Sequence, residues 1–389
     1  MRLCMHLSCL GKVYCFATKY IVAFLFAALS REGSQNIMAN KSLGAAKVAK
    51  DNEFYTRYED IQAELNYYVE QFRGKIVYCN CDDPAESHFS DFFKINFNYL
   101  GLKKLICTRY AKSDLFRLPL FTSGDPNIEN GYKLEITGDV NGDGKITNID
   151  FRKTVLDGDG DFRSDECVEL LKEADIVCTN PPFSLYREYI AQLVEYNKNF
   201  LVIGGMNSVT YKEIFPLVKD NKIWGGYTHP KKFMRPDGNI EQLGNAQWFT
   251  NLDVKKRYEK LILTKVYDPA KYPKYDNYDA INVDAVQEIP KDYFGVIGVP
   301  KTFPDSYNPD QFEIIGCAQT PMGVSLRTKV YPQQVQVDKN GRSSKVSKLN
   351  DGAAIEVDSP PKNKTYYIVG GKYFIKAFAR ILIKRREKK

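Results

Sequence analysis

Between residues 60 and 204 the chain alternates between two hydrophobic rhythms, and that alternation limits its fold more than any other feature. Ile61, Leu65, Tyr68, Val69 and Phe72 carry helical spacing across 60–72. Lys75-Ile76-Val77-Tyr78-Cys79-Asn80 then reads as a buried strand. A helical stretch at 87–99 precedes a strand at 104–108, and a strand at 174–179 precedes a helix at 185–196 and a strand at 200–204. Strands interleaved with helices in this way predict a parallel sheet flanked by helices. Such sheets bind ligands beyond the carboxyl ends of their strands. The residues that matter for function should therefore stand just after strands.

Beyond about residue 267 the texture changes. Pro, Tyr, Asn and Asp become dense (Tyr272-Pro273-Lys274-Tyr275-Asp276-Asn277-Tyr278-Asp279) and helical periodicity fades. Strand-like pieces follow at 294–299, 312–315, 328–337, 366–369 and 381–383. An α/β domain over 38–266, interrupted by an acidic insertion at 135–160, and a β-rich region over 267–389 are the expected organisation. Hydrophobic residues make up 43% and charged residues 26%, which is ordinary globular usage and argues against disorder. No apolar run of membrane-spanning length interrupts the body, so no membrane association is expected.

Residues 1–37 stand apart. Arg2, Lys12 and Lys19 precede the apolar run Ile21-Val22-Ala23-Phe24-Leu25-Phe26-Ala27-Ala28-Leu29. This reads as a leader, either from an upstream start before Met38 or resembling a secretory signal. The body's cysteines, Cys79, Cys81, Cys107, Cys167, Cys178 and Cys317, form no C-x-x-C pair. Their spacing suits neither a zinc site nor a disulfide framework, so buried free thiols in a reducing, cytoplasmic compartment are expected. With three histidines in the chain, a His-based metal site or a Ser-His-Asp triad is a poor fit.

Chemistry concentrates after the 174–179 strand, at Asn180-Pro181-Pro182-Phe183. Two prolines at a strand end stop the ladder and stiffen the backbone, since each fixes φ and lacks an N–H. Asn180 then projects from the carboxyl end. The tetrapeptide resembles the catalytic motif of amino-group methyltransferases acting on adenine. The lone pair of an exocyclic aromatic amine is delocalised into the ring. The Asn180 side-chain oxygen and the Pro181 carbonyl can each accept one amine N–H, which localises that pair toward a methyl donor. Phe183 can stack on the base, which must leave the duplex to be reached. Upstream, Asp159-Gly160-Asp161-Phe162-Arg163-Ser164 resembles the donor-binding segment of the same superfamily. There Asp161 would accept the adenine amine of S-adenosylmethionine and Phe162 would pack on its ring. The 75–80 strand runs into Cys81-Asp82-Asp83-Pro84, where most methyltransferases carry a Gly-rich turn.

Taken in order, Phe54-Tyr55-Thr56, Asn80 to Pro84, Gly101 to Ile106, Asp159 to Ser164, Asn180 to Ser184, Trp248 to Asp253 and Tyr272 to Tyr278 resemble the EcoRI-type family of adenine-specific DNA methyltransferases. The resemblance covers roughly 45–320 and more loosely the Arg380–Ile383 end. It implies a Rossmann-like sheet that uses S-adenosylmethionine, with a C-terminal β-rich target-recognition region over 267–389. It places Phe54, Tyr55 and Thr56 in the N-terminal donor-contact motif, with Asn80, Asp82 and Asp83 lining the donor pocket. Asn180, Pro181, Pro182 and Phe183 would form the target-base pocket. Trp248 and Phe249 read as core aromatics of a strand, with packing on the flipped base as the alternative. No carboxylate follows the 104–108 strand at once, so the ribose-binding residue stays unassigned.

Asp139-Val140-Asn141-Gly142-Asp143-Gly144 to Asp150 matches a twelve-residue calcium loop, with oxygens from Asp139, Asn141 and Asp143 and with Asp150 last. An acidic, Gly-rich surface insertion is the preferred reading, and no catalytic metal is expected. Charge is segregated along the chain. Residues 135–175 hold twelve acidic and five basic side chains, whereas residues 226–389 hold 28 basic and 18 acidic. The basic second half suits the phosphates of double-stranded DNA. A cognate restriction endonuclease is a possible functional partner. Competing readings are methylation of RNA adenine or protein glutamine, or a non-catalytic DNA- or calcium-binding module.

Overall fold

The computed structural model describes residues 55–82, 84, 87–111, 130–181, 185–234, 240–242 and 245–386. The 1–37 leader lies outside them. The fold is mixed α/β, and the chain divides into two compact units. Of the described residues, one unit comprises those within 55–205 with those of Gly225–Asp253, the other Met206–Trp224 with 254–386.

In the first unit β1 (Tyr55–Thr56) leads into α1 (Tyr58–Leu65) and α2 (Val69–Phe72), which precede β2 (Ile76–Cys79). Next come α3 (His88–Ile95), α4 (Phe97–Leu100) and β3 (Lys104–Arg109). A hairpin of β4 (Tyr132–Ile136) and β5 (Arg152–Val155) is followed by α5 (Asp165–Glu173), β6 (Ile176–Thr179), α6 (Tyr186–Glu195) and β7 (Asn199–Gly205). The helix α7 (Phe215–Lys219) belongs to the second unit, after which the chain returns through β8 (Trp224–Gly225), β9 (Lys232–Met234), β10 (Ile240–Gln242) and β11 (Ala246–Thr250). One large sheet runs in the order β5-β4-β3-β2-β6-β7-β11-β8, and β1, β9 and β10 form a small separate one. The central strands β3, β2, β6 and β7 are parallel, as the alternation predicts. Antiparallel strands extend them on both sides. Val77 pairs with Leu105 on one side and Ile176 on the other, and all three are buried. Each such side chain contributes roughly 1.5–3 kcal/mol on burial.

Two helices expected to be continuous are divided. A 3-10 turn at Asn66–Tyr68 separates α1 from α2, where the Tyr68 hydroxyl reaches back to Glu64 Oε1 at 2.8 Å. Glu64 is fully buried and also accepts from the Tyr227 and Thr228 amides and the Thr228 hydroxyl at 2.7, 2.6 and 2.7 Å. Four donors offset the desolvation of that carboxyl. The second division falls at Asn96, whose side-chain amide donates to the Phe92 carbonyl at 2.8 Å and competes with the helix's own bonding. The segment read as an acidic insertion contains the β4–β5 hairpin connection.

The second unit holds two further sheets. One has the order β12 (Ile281–Asn282), β13 (Ile297–Pro300), β20 (Arg380–Arg385) and β14 (Phe312–Cys317). The other is an antiparallel sheet of β16 (Ser343–Val346), β15 (Gln334–Val337), β18 (Tyr366–Val369), β19 (Lys372–Lys376) and β17 (Ala354–Val357). The strand expected at 328–337 is confined to β15, because Pro332 has no N–H to give to a ladder. Tyr275, Tyr278, Ala318 and Leu382 anchor one core cluster, and Tyr331, Leu349 and Phe374 another. Among the described residues no helix is long and apolar enough to cross a membrane.

Candidate active site

The chain leaves β2 toward β3 on one side and comes back to β6 on the other. Open α/β sheets bind ligands in the crevice at such a reversal, which here falls at the carboxyl ends of β2 and β6. Asn80 and Asp82 follow β2, and Asn180 follows β6.

Asn80 is buried, and its Oδ1 accepts from the Tyr189 hydroxyl of α6 at 2.5 Å. Burial pushes the Tyr189 phenol far up, so it remains an O–H donor. The Asn80 carbonyl accepts from Thr108 Oγ1 of β3 at 3.2 Å. Asp82 is fully buried; its Oδ1 accepts from Ser87 Oγ at 2.6 Å and its Oδ2 from Thr179 Oγ1. Ser87 also caps α3, accepting from the Phe89 amide at 3.1 Å. His88, the first residue of that helix, donates through Nδ1 to the Thr56 carbonyl at 2.8 Å. A continuous run of contacts thus joins Thr56, α3, Asp82 and the end of β6, three motifs far apart in sequence.

Asn180 sits at the end of that run. It is 7% exposed, and its Oδ1 is buried without a hydrogen-bond partner. An orphaned buried acceptor costs about 1–3 kcal/mol. Such an oxygen is ready for an N–H that the protein does not supply. Thr56 Oγ1 is a second buried oxygen in the same state. Pro181 is buried beside Asn180. Phe54, Asp83, Pro182 and Phe183 lie outside the described residues, and of Tyr55 only the backbone is described, paired with Met234.

Gly160 explains how the Asp161-Phe162 segment reaches the crevice. Its φ is +79°, and a Cβ there would stand 2.2 Å from the Arg109 carbonyl oxygen at the end of β3. Only glycine permits both the conformation and the approach. Phe162 is buried with its ring edge-on to Tyr189, centroids 5.1 Å apart, so it joins the Asn80 cluster. The Asp161 carboxylate is held by the Arg163 guanidinium at 2.7 and 2.9 Å and by the Arg163 amide at 2.9 Å. Arg163 lies 5.3 Å from the Phe162 ring centroid. Trp248 and Phe249 are core residues of β11; Trp248 meets Phe89 edge-on and Phe249 packs near Tyr186. Sequence reasoning missed Tyr189, Thr179 and Ser87. The buried face Tyr186, Tyr189, Ile190 and Leu193 of α6 has helical spacing and signals that Tyr189 is internal, but not what it touches.

In the 139–150 loop the carboxylates turn inward. Asp139 accepts from the Gly142 and Gly144 amides at 2.8 and 2.6 Å, and Asp150 from Val140 and Thr147 at 2.8 and 2.7 Å. Those backbone bonds hold the Asp150 carboxyl below its ordinary value. Among the described residues no group of three or more His, Cys, Asp or Glu side chains is placed to hold a metal ion.

Comparison with known proteins identifies the family. The family described as "Adenine-specific methyltransferase EcoRI" matches residues 42–386. The Type II methyltransferase M.EcoRI of Escherichia coli is 47% identical over 296 residues, covering 71% of this chain and 89% of that protein. The Type II methyltransferase M.MpnI of Mycoplasma pneumoniae is 40% identical over 309 residues, covering 74% and 89%. M.MgeORF184P of Mycoplasma genitalium is 38% identical over 317 residues, covering 75% and 92%. No solved structure matches. With a match that runs through nearly the whole chain, this protein belongs to the EcoRI family of adenine-specific DNA methyltransferases.

Proposed function

We propose that the chain methylates the N6 amine of adenine in duplex DNA by direct transfer from S-adenosylmethionine, with Asn180 as the group that holds the reacting amine. The observation that carries this is the buried, unpartnered Oδ1 of Asn180 at the carboxyl end of β6. An acceptor there takes one N6–H, and the Pro181 carbonyl is suited to the other. The amine lone pair is thereby turned out of conjugation. S-adenosylmethionine, when bound, supplies a methyl group on a sulfonium. The N6 lone pair forms the new N–C bond, the S–C pair returns to sulfur to give S-adenosylhomocysteine, and the amine proton passes to water. The leaving group departs as a neutral thioether, so the step needs no Lewis acid and no covalent enzyme intermediate.

Asn80, Asp83, Asp161 and Phe162, with Phe54, Tyr55 and Thr56, are the proposed donor side of the crevice; Asp82, expected from the sequence to line it too, has both oxygens taken by Ser87 and Thr179 and supports that side from behind. The parallel order β3-β2-β6-β7 and its reversal at β2 support the Rossmann-like reading. The basic second half, with 28 Lys and Arg against 18 Asp and Glu over 226–389, supports target recognition on the DNA phosphates. Reaching the amine requires the base to leave the stack. The free, mostly buried thiols suit a reducing compartment such as the cytoplasm. The relatives' type II names make a restriction endonuclease the expected functional partner.

Incubation with labelled S-adenosylmethionine and DNA, RNA or bacterial protein tests the reading. Label is expected in N6-methyladenine of DNA alone; label confined to RNA or to glutamine would overturn it.

A further inference from the structure

Asp82 stands where a Gly-rich turn is usual, and its surroundings are not those of a ligand contact. The side chain is fully buried. Both oxygens are engaged by hydroxyls from other elements, Oδ1 by Ser87 at 2.6 Å and Oδ2 by Thr179. Thr179 is the residue before Asn180 and the last of β6. Ser87 caps α3, whose His88 holds the Thr56 carbonyl. Both bonds run from a hydroxyl to the Asp82 side chain inside the protein, out of reach of competing water. One carboxylate therefore links the turn after β2, the start of α3 and the end of β6.

We propose that Asp82 is a positioning residue for methyl transfer: through Thr179 and Ser87 it holds the Asn180 end of β6 in register with the turn after β2, and it touches neither reactant. A glycine turn has no side chain with which to make this link. Here the alignment of donor and acceptor is carried by a buried strut. The inference rests on the proposed role of Asn180 and deepens it. In-line transfer is sensitive to small displacements, since misplacement by about 1 Å costs on the order of 100-fold in rate.

Single-turnover methylation of unmethylated genomic DNA with tritiated S-adenosylmethionine tests it, alongside calorimetric binding of S-adenosylhomocysteine. Thr179→Val keeps the shape and removes the hydroxyl. It is expected to slow transfer about 10- to 100-fold while S-adenosylhomocysteine affinity stays within about twofold. Thr179→Ser is expected to restore most of the rate. Ser87→Ala loosens the same carboxylate from the far side and is expected to slow transfer about 3- to 10-fold. The strut is wrong if both Thr179→Val and Ser87→Ala transfer at the wild-type rate. It is also wrong if Thr179→Ser is as slow as Thr179→Val, or if affinity falls in step with rate. Should the valine variant not fold, the Ser87→Ala rate decides alone. A wild-type protein that labels no adenine would instead sink the functional reading, which separates the two failures.

Discussion

Two buried asparagines, one in each unit, show how a site differs from a scaffold. Asn277 in the second unit is fully buried, and both its amide nitrogen and its amide oxygen are hydrogen-bonded. Its nitrogen donates to the Gly352 carbonyl at 2.9 Å and its oxygen accepts from the Ala354 amide at 2.8 Å, tying the Tyr275–Tyr278 stretch to β17. Asn180 in the first unit is nearly as buried, yet its oxygen meets no donor. The protein carries that deficit at the end of a parallel strand, in the crevice where a ligand would sit. Gln192, Gln319 and Gln336 also bury an amide oxygen without a partner; what sets Asn180 apart is its place just after a central parallel strand.

Replacing the two residues should break the comparison in opposite ways. Asn180→Ala is expected to reduce methyl transfer by about 1,000-fold, the scale of losing one transition-state hydrogen bond in an enclosed site. Its melting temperature should not fall, because no internal bond is lost. A calorimetric melt paired with tritium transfer checks both, and an active Asn180→Ala would remove the residue from the chemistry. Asn277→Ala leaves a carbonyl and an amide unpaired inside the second unit. It is expected to destabilise by roughly 2–4 kcal/mol, measured by urea unfolding. Binding of S-adenosylhomocysteine under folding conditions should be unchanged.

The smallest expected effect sharpens the contrast at a site of purely structural charge. Glu135 lies in β4, and burial alone would raise its carboxyl. Lys104 at 2.6 Å, joined by Lys133 at 3.4 Å, instead holds it below the ordinary 4.5. Its contribution to stability is complete above that ordinary value and is lost as pH falls through the lowered one. Glu135→Gln is expected to destabilise by roughly 1–2 kcal/mol at pH 7. The gap from wild type should close as pH drops below 4.5. Unfolding midpoints at both ends of that range check the sign; a gap that widens in acid would show that the pair is not what holds the carboxyl down.

Much of the first unit was legible in the sequence. The four central strands fall within two residues of where the apolar runs put them, because strands buried on both faces need continuous apolar sequence. The β4–β5 hairpin and α5 were hidden by the acidic stretch, although Ser164 caps α5 and Asp165 and Glu166 fill its first turn. In the second unit β12, β16, β17 and β19 escaped notice. Lys372-Tyr373-Phe374-Ile375-Lys376 buries only Phe374 fully, and its strand character comes from its partners β17 and β18.

The site divides along the same line. Asn180-Pro181, the turn from Asn80 to Asp82 and Phe162 were readable where they stand, since each combines local backbone chemistry with a place after a strand. Their assembly was not readable. Thr179 lies 97 residues from Asp82, and Tyr189 lies 109 from Asn80. Hydrophobic period and turn chemistry act over a few neighbouring residues, so they mark strands and motifs. Which hydroxyl meets which carboxylate depends on the order in which strands are laid side by side. That order arises only when the whole sheet forms.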